Sequence, residues 1–277
     1  MLFLLVVLLI VGGLIAPVAA QSADELPKCN TRAGWVWEPR VDPIFFCYEV
    51  LVSTDEAGVM PYTGLAFAPD GTLYAARPQQ GQVLRITDTD GDNLPDSETV
   101  LDYAFEMPNA LAFYDSSLYI AGGRTLYRLD HQTQAVTTLA NDLPVAPGSW
   151  ISGLIATDDG LYIGVPAACD LCEQGPQHGT VLRMHLDGSQ REVVAHGLRY
   201  PAALVQHNKR MLVSDSLLPN PADQQWPHTM QDELNAFDPT GPAPDFGWPR
   251  CITADEDDTG NCADVQAPLL RFQTGRD

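Results

Sequence analysis

The sequence predicts an all-β chain, a β-propeller of four-stranded blades. Two observations carry this. A unit of roughly 45 residues recurs along the chain. Each copy reads as short strands separated by tight-turn residues, without the 3.6-residue periodicity that a helical solenoid needs.

The repeat is visible residue by residue. Gly64-Leu65-Ala66-Phe67 leads through Pro69-Asp70-Gly71 to Leu73-Tyr74. Ala110-Leu111-Ala112-Phe113 leads through Asp115-Ser116 to Leu118-Tyr119. Gly153-Leu154-Ile155-Ala156 leads through Asp158-Asp159-Gly160 to Leu161-Tyr162. Ala203-Leu204-Val205 leads through Asn208-Lys209 to Met211-Leu212-Val213. The equivalent leucines, 65, 111, 154 and 204, lie 46, 43 and 50 residues apart. Asp, Gly, Asn and Ser at the turns tolerate the backbone angles a tight hairpin needs.

Third strands are expected at residues 82–86, 125–129 and 180–184. All three end hydrophobic-Arg-hydrophobic: Leu84-Arg85-Ile86, Tyr127-Arg128-Leu129 and Leu182-Arg183-Met184. Outer strands follow at 98–103 and 135–139. A fifth blade is expected to open at Asp245-Phe246-Gly247-Trp248. With the sequence ending at Asp277, three arrangements stay open. The chain is truncated, the ring has five blades, or a strand at 45–52 closes it. Truncation is the favoured expectation, leaving four or five blades.

Antiparallel blades dictate which loops share a face. Loops joining strands 2 and 3, and those leading from strand 4 to the next blade, fall together. That face is taken as the ligand-bearing mouth. It collects Arg77, Gln79, Asn109, Arg124, Ser149, Trp150, Cys169, Cys172, Arg199, Tyr200, Asp215 and Glu233. Convergent arginines there can hold carboxylates through paired N–H donors.

The N-terminus carries an apolar run over residues 2–15, followed by Val18-Ala19-Ala20. This reads as a secretory signal over 1–20, favoured over an N-terminal anchor. A segment at 21–50 follows, and the propeller domain occupies 51–277. The protein is expected to be secreted or periplasmic. The net charge is −21 with two lysines, so a polyanionic nucleic acid is excluded as partner. Six cysteines after a leader suggest disulfides. Their grouping suggests Cys29–Cys47, Cys169–Cys172 and Cys251–Cys262, although spacing alone does not fix connectivity.

Asp88, Asp90, Asp92 and Asp96 alternate around a glycine in the loop after the first third strand. Calcium takes six to eight oxygen ligands, and alternate carboxylates can wrap around it. The loop lies between strands 3 and 4, away from the mouth, so its calcium would be a structural clip. Residues 255–258 form a second acidic run without alternation, read as a solvated loop.

In order along the chain, several stretches resemble the glucose/sorbosone dehydrogenases. They are Leu65 to Tyr74, Asp88 to Asp96, Asp159 to Tyr162 with Cys169-Asp170-Leu171-Cys172, Gly197-Leu198-Arg199-Tyr200-Pro201, Asp232-Glu233-Leu234-Asn235 and Asp245-Phe246-Gly247-Trp248-Pro249. The resemblance implies a six-bladed quinoprotein fold with pyrroloquinoline quinone (PQQ) and calcium at the mouth. It implies oxidation of a sugar by hydride transfer to the quinone, with an unidentified electron acceptor. It carries a cofactor-binding role to Arg199, with Tyr200 where the family has Asn; Arg77 and Arg124 are further candidates for holding the cofactor. The family's catalytic histidine aligns with Ser149, beside Trp150. Neither side chain accepts a proton near neutrality as imidazole does. His178 and His228 lie on mouth loops without a spacing argument for either. The catalytic residue is therefore unassigned. The alternative is a catalytically inactive, calcium-stabilised propeller acting as a binding or scaffold module. A calcium-dependent hydrolase or lactonase ranks last.

Overall fold

The computed structural model describes residues 62–92, 94–170, 172–217, 231–251 and 262–273, all within the compact unit Thr54–Asp277. The leader at 1–20, Cys29–Cys47, the strand at 45–52, His228 and the acidic run at 255–258 lie outside the described residues.

Among the described residues, sixteen strands form four antiparallel four-stranded sheets, each ordered as in the chain, and these are propeller blades. Blade 1 contains β1 (Leu65–Phe67), β2 (Leu73–Arg77), β3 (Gln82–Thr87) and β4 (Ser97–Val100). Blade 2 contains β5 (Ala110–Tyr114), β6 (Ser117–Ala121), β7 (Leu126–Asp130) and β8 (Val136–Ala140). Blade 3 contains β9 (Gly153–Thr157), β10 (Gly160–Val165), β11 (Thr180–Met184) and β12 (Glu192–Ala195). Blade 4 contains β13 (Pro201–His207), β14 (Arg210–Asp215), β15 (Gln231–Phe237) and β16 (Leu270–Gln273).

The period-2 pattern explains the stacking. Alternate side chains leave opposite faces of a strand, so an interior strand must be apolar on both faces. β10 is buried at all six positions, whereas all four residues of the outer strand β4 are exposed. The core therefore lies between blades. Tyr74 and Val83 of blade 1 pack with Leu118 and Ile120 of blade 2. Tyr119 and Leu126 of blade 2 pack with Leu161 and Ile163 of blade 3. Tyr162 and Val181 of blade 3 pack with Met211 and Val213 of blade 4. The two end blades present apolar side chains to solvent, including Leu65 and Phe67 on β1 and Val205 on β13.

Close approach between blades sets one strict requirement. A Cβ on Gly122, in the β6–β7 loop, would lie 1.6 Å from the Met107 carbonyl oxygen. Only glycine lets this loop lie against the connection between blades 1 and 2.

The expected fifth blade is corrected. Asp245–Trp248 lies inside the connection between β15 and β16 of blade 4. Asp245 forms a parallel bridge with His196, and Trp248 N donates to the Gly197 oxygen at 2.9 Å. The segment is drawn to the end of β12 by these backbone bonds, which the motif alone does not reveal.

Candidate functional site at the propeller mouth

The two expected sets of mouth loops do meet. Phe105 N, between blades, donates to Gly81 O at 3.0 Å, and Leu198 N donates to Gly179 O at 3.0 Å. The arrangement continues along the starts of the inner strands as one polar rail. Thr63 Oγ1 donates to the Asn109 carbonyl at 3.3 Å. Buried Asn109 donates through Nδ2 to Ile151 O at 2.8 Å and to Ser152 Oγ at 2.9 Å. Ser152 Oγ lies 2.6 Å from the Tyr200 hydroxyl, which also bonds the Trp150 side chain. Burial raises the Tyr200 pKa above its ordinary value.

Arg199 sits beside this rail. Its Nε donates to Asp170 Oδ1 at 2.9 Å, and Nη2 lies 2.8 Å from the same oxygen. Nη1 donates to Ser216 O at 3.1 Å. The guanidinium carbon lies 5.6 Å from the Trp248 ring centroid, within cation–π range. Asp170 is held in the four-residue ring closed by Cys169–Cys172. The second predicted bridge, Cys251–Cys262, also forms.

Behind Arg199 lies a buried carboxyl pair. Asp215 Oδ1 accepts from Arg199 N at 3.1 Å and Tyr200 N at 2.6 Å, and Oδ2 accepts from Arg199 N at 2.9 Å. Asp215 and Glu233 are register partners on β14 and β15. Desolvation, chiefly, pushes the Asp215 pKa up to about 7, and the Glu233 charge adds to it. Burial also raises Glu233, whose Oε2 accepts from Asn235 Nδ2 at 3.4 Å. Arg271 lies 3.6 Å from Glu233 Oε1. Asn235 is fully buried, and its Oδ1 has no hydrogen-bond partner.

The structure thus brings Arg199, Tyr200, Asp215 and Glu233 together. Arg77 is instead placed over the Tyr62 ring at 5.9 Å, and the Arg124 side chain is exposed. Ser149 sits in a turn, its N donating to Ala146 O at 3.0 Å. Three residues that sequence reasoning passed over matter here. Ser152 stands two positions before its repeat leucine, as Asn109 does, and that spacing was the available signal. Asp170 and Asn235 had no signal beyond the motifs containing them.

In the Asp loop, Asp88, Asp90 and Asp96 each offer an oxygen within 4.8 Å of the others. Asp92, the fourth carboxylate of the loop, accepts from Leu94 N through Oδ1 at 2.7 Å. Asp96 Oδ2 accepts from the Thr89 hydroxyl and backbone N and from Asp90 N. Hydrogen bonds from Thr89 hold the Asp96 pKa below its usual value.

Among known proteins, no protein family and no curated protein matches the chain at the sequence level. Solved structures do match. The PQQ-bound aldose sugar dehydrogenase of Streptomyces coelicolor superposes with a TM-score of 0.56 at 19% identity, covering 81% of this chain and 71% of that one. A glucose dehydrogenase-type oxidoreductase from Thermus thermophilus superposes at 0.56 with 20% identity, covering 78% and 71%. At this identity the likeness establishes the fold alone, a β-propeller. No helix among the described residues is long and apolar enough to cross a membrane.

Proposed function

We propose that this chain is an exported, quinoprotein-type sugar dehydrogenase-like propeller whose mouth binds pyrroloquinoline quinone and calcium. The observation that carries the reading is Arg199, fixed at the mouth between Asp170, Ser216 and Trp248. Those bonds use one edge of the guanidinium and part of another. Of its five N–H donors, one on each terminal nitrogen stays available to a ligand carboxylate. A planar ligand bearing several carboxylates fits this donor set, with the half-buried Trp150 and Tyr200 rings beside it.

The fit for calcium rests on separate chemistry. Asp215, Glu233 and the orphaned Asn235 Oδ1 are all oxygen donors, the class calcium prefers. Burial raises the pKa of both carboxyls despite Arg271 and Arg199 nearby, and a bound divalent cation would favour their charged forms. When bound, the quinone supplies the two-electron acceptor for alcohol oxidation. The chain's own groups bind and orient: Arg199 anchors a carboxylate, and Asn109, Ser152 and Tyr200 offer a hydroxyl-rich edge to a sugar. The apolar leader and the two bridges support export.

One observation favours a second reading, a binding propeller without turnover. The position implied for the catalytic base holds Ser149 and Trp150, so no imidazole is supplied there. Calorimetric titration of the purified protein with PQQ, with and without calcium, tests the first reading. Saturable binding lost in Arg199→Ala supports it. Absence of binding in both conditions overturns the cofactor assignment. Binding without dye-linked oxidation of any aldose selects the second reading.

A further inference from the structure

The mouth contains a competitor for the group assigned to ligand binding. Asp170 holds Arg199 through Nε and Nη2, at side-chain exposures of 26% and 15%. Asp170 owes its position to a small ring. Cys169 and Cys172, both exposed, are bonded to each other, and Cys172 N donates to Cys169 Sγ at 2.8 Å. The flanks are anchored independently of the bridge. Ala167 N donates to Arg199 O at 2.8 Å. Gln174 Nε2 donates to Cys169 O at 3.0 Å and to Cys172 O at 2.9 Å, while its Oε1 accepts from Ala168 N at 2.7 Å. The bridge therefore constrains Asp170, while the ends of the loop stay tied when it opens.

We infer that the Cys169–Cys172 disulfide gates one edge of Arg199: closed, it pins Asp170 on Nε and Nη2, and opened, it frees that edge for paired contact with an incoming carboxylate ligand. The inference rests on the reading of Arg199 as the carboxylate-holding group. Opening needs a reductant of the dithiol class. Its two thiols give two electrons and two protons, the Cys169–Cys172 S–S bond becomes two thiols, and the reductant's sulfurs join as a disulfide. Exposure of both cysteines lets such a thiolate reach the bond. Regained backbone freedom then disfavours the single geometry in which Asp170 meets Arg199.

The test reads Arg199 directly. The full-length protein is treated with phenylglyoxal, and modification at Arg199 is timed by peptide mass spectrometry. Four samples are compared: oxidised protein, protein mildly reduced with dithiothreitol until the 169–172 bridge opens, the Cys169→Ser/Cys172→Ser variant, and Asp170→Asn. Release of Arg199 predicts modification about fivefold faster in the last three, the scale of losing one partly exposed ion pair. Equal rates in oxidised and reduced protein overturn the gate, whatever the serine variant does. A parallel PQQ titration separates this from the function reading. Tighter binding after reduction supports both. Failure to bind in every sample overturns the quinone assignment, and the modification rates still decide the gate.

Discussion

Asp215→Asn offers a sharp test of the buried carboxyl pair. Asp215 is 2% exposed and its pKa stands at about 7, against 3.8 for an ordinary Asp. A folded-state pKa above the unfolded one means that the native protein binds the proton more tightly. The resulting stability is complete below pH 3.8, declines as pH rises and is lost above about 7. At 1.36 kcal/mol per unit, the span corresponds to about 4 kcal/mol. For a domain of this size that is a fall in Tm of about 10 °C. The assay is thermal unfolding of wild type and Asp215→Asn from pH 4 to pH 8.5 with a chelator present. Subtracting the two curves removes the carboxylates remote from Asp215, including Asp70, which is held at about 2 and contributes with the opposite sign. The wild-type-minus-variant difference is expected to fall from pH 4 to about pH 7 and to level off above it. A flat or rising difference refutes the claim that burial raises the Asp215 pKa in the folded protein.

Two further outcomes follow from local geometry. Gly122→Ala is expected to yield insoluble protein, or a Tm lowered by more than about 5 °C, because the added Cβ meets the Met107 carbonyl; a Tm within a degree of wild type would show that the interblade approach relaxes freely. Calcium is expected to raise Tm by a few degrees through the Asp88, Asp90 and Asp96 trio, and Asp90→Asn/Asp96→Asn should remove that part of the shift, checked by terbium luminescence in the same variants.

By itself, the sequence determined the blades. The repeat spacing located the strand pairs of all four, and the Asp-Gly, Asp-Ser and Asn-Lys turns located their hairpins, because alternation and turn chemistry are local properties. The two cysteine pairings suggested by proximity that fall among the described residues both form. The sequence also marked Arg199 and Glu233 as mouth residues. Tertiary structure decided what those residues do. Arg199 is committed to Asp170 across a long loop, Asp215 and Glu233 become a buried pair only through strand register, and Ser152 joins Asn109 to Tyr200 across three blades. It also moved Asp245–Trp248 from a fifth blade into blade 4, where Trp248 stacks on Arg199. Burial, charge compensation and interblade hydrogen bonds depend on which chain segments meet in space, and one-dimensional spacing does not encode that meeting.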